Sequence, residues 1–192
     1  MINQQARRMK SDQTSELSCR CGQVSLIVYQ QPIISVECLC RDCQQAGRLF
    51  KTLPDAPAIM DNNNATRFEL YRKDRVTWQL GEANLKEHRL TADSDTRRVI
   101  ATCCNTPMFL EFTKGHWLSI YGALWAAETL PPLALRTMTK DAPASVSLPN
   151  DVPNPNTHNV AFFYRLLRAW AAMGFRSPKV KYVHGSLTLP PG

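Results

Sequence analysis

Apolar and polar side chains alternate from position 24: Val24, Leu26 and Val28 fall on one side of a two-residue period, with Ser25, Ile27 and Tyr29 between them. That period predicts a strand with one face buried. Gln31-Pro32 ends it, because proline has no N–H to give to a ladder. A second strand is predicted over 33–38, delivering Cys38 and Cys40 at its end, and a short helix over 41–50 carries Cys43 in its first turn. Pro54, Pro57 and Asn62-Asn63-Asn64 mark a loop over 54–66. Further strands are expected over 67–71 and 76–80, joined by Arg72-Lys73-Asp74. Others follow over 97–102, 108–112 and 117–121, the last two linked by Thr113-Lys114-Gly115.

Two stretches break this rhythm. Residues 129–159 are rich in Pro, Asn and Ser and read as a linker or a surface-wrapping segment. From 160 to 175 the period becomes helical, with Phe163, Leu167, Trp170 and Gly174 on one face and Phe162, Leu166, Ala169 and Met173 widening it. The expected organisation is a polar arm at 1–16, a β domain at 17–128, the Pro-rich segment at 129–159, and a helix with a basic tail at 160–192. The fold class is mostly β, with short antiparallel strands and a C-terminal helix.

Composition adds limits. The chain has 192 residues and 44% apolar content, enough for one domain with a real core. No apolar run approaches the ~20 residues that cross a bilayer. The formal net charge is +7, which suits an anionic small molecule or an acidic surface. No dense Lys/Arg stripe with interleaved aromatics points to nucleic acid.

All seven cysteines fall in three clusters: Cys19-Arg-Cys21-Gly22, Cys38-Leu-Cys40-Arg-Asp-Cys43 and Cys103-Cys104-Asn105-Thr106-Pro107. A disulfide framework suits them poorly. The count is odd, and the first 18 residues lack the apolar core of a secretory signal, so a reducing, cytoplasmic setting is expected. Close thiol pairs there point to metal, and Zn²⁺ takes four such donors in a tetrahedron. Cys103 and Cys104 are adjacent, and neighbouring strand side chains point to opposite faces. Both reach one metal only if a turn starts there; otherwise Cys103 is a buried thiol. A helix starting beside Cys40 and Cys43 would aim N–H groups at sulfur and lower a thiol pKa. Asp42 reads as a helix cap. His88, His116, His158 and His184 lie outside any ligand spacing and read as surface residues.

The order C-x-C-G, then C-x-C-x-x-C, then a cysteine followed by x-T-P resembles the glutathione-dependent formaldehyde-activating enzyme family, which includes the centromere protein V-like domains. The resemblance covers residues 17–125 and implies an Mss4-like fold of twisted antiparallel sheets carrying zinc. It places Cys19, Cys21 and Cys104 at a structural zinc site, and Cys38, Cys40 and Cys43 at a catalytic one. Two departures stand out. The third cluster is normally C-x-x-C-G-T-P; here Ala101 replaces the first cysteine and Cys103 directly precedes Cys104. Leu39 occupies a position where histidine is common. The Cys-Cys-Asn-Thr-Pro form itself resembles a separate branch of the family that also ends in a helical, basic tail.

The implied activity is carbon–sulfur chemistry on a thiol adduct of the S-hydroxymethylglutathione type. A three-thiolate zinc with an open position polarises a carbonyl or holds an incoming thiolate. Arg41, Arg48 and Arg98 are candidates to hold glutathione carboxylates, chosen for nearness to the cysteines. The alternative is a non-enzymatic, zinc-stabilised module that docks a partner, or a second copy of the chain, through its C-terminal helix.

Overall fold

The structure, a computed structural model, describes residues 14–189. Most of the expected polar arm, residues 1–13, lies outside the described residues. Its last part is not an arm: Thr14–Ser18 forms strand β1, paired antiparallel with β2 (Ser25–Tyr29). β2 also pairs with β5 (Val76–Leu80), giving a three-stranded sheet in the order β1-β2-β5. As the alternation predicts, Val24, Leu26 and Val28 are fully buried.

A larger sheet has seven strands. They are β3 (Ile34–Cys38), β4 (Thr66–Arg72), β6 (Leu85–His88), β7 (Thr96–Ala101), β8 (Thr106–Phe112), β9 (Trp117–Tyr121) and β10 (Leu135–Thr137). Their order is β10-β3-β4-β9-β8-β7-β6. Neighbours run antiparallel except β10, which lies parallel to β3. The expectation of purely antiparallel pairing is corrected at that edge.

Each face of the large sheet has its own core. On one face Ile34, Val36, Phe68 and Leu70 pack against Leu49 and Phe50 of helix α1 (Arg41–Phe50) and against Phe162 and Leu166 of helix α2 (Val160–Ala172). On the other, Val99, Phe109, Leu118 and Ile120 meet Leu17, Val24, Leu26 and Val28 of the small sheet. Helices, large sheet and small sheet thus form three layers around two apolar seams. A sheet covered on both sides loses the strict two-residue period, and β4 accordingly buries Phe68, Glu69, Leu70 and Tyr71 in succession. The fully buried Glu69 is matched by the Ser35 hydroxyl and by Arg67 Nε at 2.8 Å. Desolvation still raises its pKa, against those two hydrogen bonds.

Polar anchors hold the Pro-rich segment to the sheet. Arg136 of β10 pairs with Glu37 of β3 at 2.8 Å and with Asp151 at 2.6 Å, and its N–H donates to Pro153 O. The tail returns along β6: Glu87 N donates to Gly185 O and Leu187 N to Glu87 O, while Val180, Tyr182 and Val183 pack on the inter-sheet core.

Helix α2 starts at Asn159, whose side chain accepts from Phe162 N at 2.9 Å. It docks by a narrow stripe. Phe162, Leu166 and Met173 are buried, and Trp170 stacks on His116 with ring centroids 5.8 Å apart. Phe163, Tyr164 and Leu167 remain more than half exposed.

Candidate metal centres

The first centre is built from two turns belonging to different sheets. Between β1 and β2 the chain reverses at Gly22, whose φ of +76° is one that an L side chain rarely adopts. Gly22 N donates to Cys19 O, and Val24 N to Cys19 Sγ at 3.3 Å. Between β7 and β8, residues 102–105 form a turn, with Asn105 at φ +55°. Asparagine tolerates that left-handed conformation better than other non-glycine residues, so it serves where the resembled family has glycine. This turn answers the question of Cys103: both adjacent thiols face the same point. Cys103 Sγ lies 3.7 Å from Cys19 Sγ and 3.4 Å from Cys21 Sγ. All four sulfurs of Cys19, Cys21, Cys103 and Cys104 lie within 4.8 Å of one another. Thr106 locks the two turns together. Its Oγ1 accepts from Arg20 N at 3.1 Å and contacts Cys104 Sγ at 3.1 Å.

The second centre is local. Cys38 ends β3, Cys40 caps α1, and Cys43 lies in the first turn of that helix. Their three sulfurs also lie within 4.8 Å of one another. The helix cap is Cys40, whose sulfur accepts from Cys43 N at 3.4 Å, and not Asp42. Asp42 is exposed in the first turn, and its carbonyl accepts from Arg98. Each group is able to bind a metal ion.

Charge is distributed unevenly over these thiols. Hydrogen bonds from the Cys38 and Cys43 thiols, with a smaller contribution from the Arg98 charge, pull Cys40 down to about 2. The same contact pushes Cys38 up to about 12. Cys43, nearly enclosed, is also raised, first by its bonds to those two sulfurs. In the first centre burial opposes ionisation of Cys104, but the Thr106 hydroxyl and the N–H and thiol of Cys21 bring it down to about 6. Cys19 and Cys103 are raised, chiefly by burial.

The second centre opens onto a cavity. Cys38, Cys40 and Cys43 line a half-open space of about 320 Å³ beneath α2, together with Arg98, Phe68, Leu110, His158 and Phe162. Of the three candidate arginines, Arg98 alone reaches it. Arg98 is 2% exposed; one Nη donates to Asp42 O at 3.2 Å, and Nε has no hydrogen-bond partner among the described residues. Arg41 projects into solvent and pairs with Asp141 at 3.5 Å, and Arg48 is exposed outside the cavity lining. Leu39 is fully buried in the position where a histidine is common.

The histidines depart from the surface expectation. His88 is buried and its Nδ1 lies 3.1 Å from Leu187 O. His116 is buried beneath Trp170, with its pKa lowered by desolvation. His158 is half-buried on the cavity wall, its pKa also lowered by burial, and its ring lies 4.5 Å from Phe162. Only His184 is exposed. His158 stands just before the helix cap Asn159, which was the available signal for it: a residue one step ahead of a helix that covers a site is held at that site.

No protein-family model matches the chain, and no curated protein matches it. Among solved structures it is similar to a Rhodobacter sphaeroides protein determined as a structural-genomics target, at 12% identity. The match covers 62% of this chain and 97% of that one, with a TM-score of 0.44. Likeness at that level carries no argument about function.

Proposed function

We propose that this chain is a zinc protein of Mss4-like fold that joins a thiol to an aldehyde, or separates them, at its three-sulfur group. The observation that carries this reading is the convergence of Cys38, Cys40 and Cys43 on a cavity that also holds the buried Arg98. Thiol donors suit zinc among the common divalent ions. Cys19, Cys21, Cys103 and Cys104 make a complete four-donor set, as structural zinc requires, whereas Cys38, Cys40 and Cys43 leave a fourth position for a ligand. Zinc held there supplies Lewis acidity to a carbonyl and favours the thiolate form of an incoming thiol.

The reaction balances without an oxidant. A carbon–sulfur bond forms as the sulfur lone pair enters the carbonyl carbon, and the thiol proton ends on the carbonyl oxygen to give a hydroxyl. The reverse step returns both partners, as in S-hydroxymethylglutathione chemistry. The chain contributes charge, orientation and dryness. Arg98 places a fixed cation beside the sulfurs, where negative charge develops. Phe68 and Phe162 keep water from the reacting atoms. His158, the imidazole on the same wall, is assigned the proton transfer.

Elemental analysis of protein purified without chelator should find two zinc ions per chain. Exchange NMR with ¹³C-formaldehyde and a thiol should show acceleration that is lost in Cys40→Ser. Absence of stoichiometric metal, or full acceleration in that variant, ends the proposal. One observation favours a second reading, a non-enzymatic module that docks a partner: Phe163, Tyr164 and Leu167 leave much of α2 apolar and exposed.

A further inference from the structure

Most of the surface of the cavity over the three-sulfur group is hydrocarbon, although Asp42, Thr96, Ser119, Thr137 and His158 also line it. Phe68, Leu70 and Leu110 rise from the large sheet, and Phe162, Phe163 and Leu166 come down from α2. Among the described residues Arg98 is the only lysine or arginine in the lining. Its guanidinium has no carboxylate partner among the described residues and keeps an unpaired Nε. At about 320 Å³ the space is at the small end of the ~300–1,000 Å³ usual for ligand sites.

These features argue against a peptide thiol as the natural occupant. Glutathione brings two carboxylates, an ammonium and two amides. Each charge moved into an apolar space without a partner is strongly disfavoured; Arg98 satisfies at most one carboxylate and Asp42 at most the ammonium, so the second carboxylate is left without a cation. The other two candidate arginines, Arg41 and Arg48, are turned to solvent. An aryl or short alkyl group, by contrast, meets the aromatic and aliphatic side chains of the sheet and of α2, each contributing through apolar area removed from water.

The roof comes from outside the zinc-bearing part of the chain. Phe162 and Leu166 are buried against the sheet, so α2 is held over the sulfurs. Phe163, on the same helix, lines the cavity while remaining 57% exposed. It therefore sits at the rim, where it can touch a ligand without being needed for the core.

We infer that this cavity selects a compact apolar body, and that α2 is the element that does the selecting. Resting on the carbon–sulfur reading above, the ligand is an aryl or short alkyl thiol, or its aldehyde adduct, with its sulfur at Cys38, Cys40 and Cys43 and its hydrocarbon under Phe162 and Phe163. Arg98 offsets the negative charge that such a thiolate adds to a group of sulfurs already anionic.

Isothermal titration calorimetry on the full, zinc-loaded chain tests this with three probes: benzyl mercaptan, its oxygen isostere benzyl alcohol, and glutathione. Benzyl mercaptan is expected to bind at least ten-fold more tightly than glutathione. Phe163→Ala should weaken benzyl mercaptan about five-fold, leave glutathione within two-fold, and leave the melting temperature nearly unchanged. Tighter binding of glutathione, no binding of benzyl mercaptan, or an unaltered affinity in Phe163→Ala overturns the inference. Benzyl alcohol separates it from the reading beneath it. If the alcohol binds as well as the mercaptan, and Phe163→Ala weakens both, the apolar selection stands and the sulfur chemistry falls.

Discussion

Cys19 and Cys21 meet Cys103 and Cys104 across more than 80 positions of chain, whereas Cys38, Cys40 and Cys43 sit at one strand end and the helix turn that follows it. The first group joins a turn of the small sheet to a turn of the large one. A metal there closes a long loop and fixes one layer on another, so its binding energy is folding energy. The second group is shaped by the end of β3 and by the cap of α1, neighbours in sequence. What it has instead is an open side, an apolar cavity and a buried cation. On the proposed reading, reach along the chain is what separates a stapling site from a working one, although both are made of the same ligand.

The sharpest way to break that contrast is to remove one sulfur from each group. Cys21 is exposed, so Cys21→Ser sacrifices no packing and its effect reports ligation alone. It should lower the melting temperature by about 10 °C or more, since each kcal/mol corresponds to about 2–4 °C in a chain of this size. Cys40→Ser replaces one helix cap by a better one and should cost less than half as much. Equal losses would make both sites structural. A smaller effect is expected from a mild chelator. It should withdraw metal from the three-donor group first, halving the zinc content while far-UV circular dichroism stays native. Simultaneous loss of both ions and of structure would erase the distinction.

The helix sharpens it further, because α2 covers only the second group. Trp170→Ala removes the stack on His116 and should destabilise the protein by about 1–3 kcal/mol. It should also speed alkylation of Cys40 several-fold while leaving Cys21 unchanged. The smallest effect concerns pH. Desolvation holds the pKa of His116 below its ordinary 6.5. The unfolded chain therefore takes up the proton first as pH falls. His116 stabilises the docked helix fully above about 6.5 and progressively less below it. Between pH 7 and 5 the Cys40 alkylation rate should climb relative to Cys21, and His116→Phe should flatten that slope.

Much of this architecture was legible in the sequence. The alternation at 24–29 and the segment at 41–50 appear as β2 and α1, because each has one buried face with its own period. β6 and β10 were not legible: Leu85–His88 and Leu135–Thr137 are too short to show any period. β10 is held by pairing with β3 and by the ion pairs of Arg136, neither of which leaves a local pattern. At the sites, cysteine spacing indicated metal binding and the three-thiol group, but the joining of Cys19 and Cys21 with the third cluster came from the family resemblance, and the place of Cys103 depended on a turn marked only by Asn105. Arg98 and His158 enter the cavity through tertiary packing. The arginine was singled out for sequence nearness, which misled equally for Arg41 and Arg48.

The long reach of the first sulfur group also sets a clock on biosynthesis. Cys21 and Cys103 are 82 residues apart. At about 5–20 residues per second of translation, Cys19 and Cys21 emerge from the ribosome roughly 4–16 s before their partners exist. Throughout that interval the nascent chain presents a bare C-x-C pair to oxidants, to stray copper and to zinc that it cannot yet hold. Cys38, Cys40 and Cys43, within six residues of one another, emerge almost together. If the first group staples the fold as proposed, oxidative stress during synthesis should injure new molecules more than completed ones.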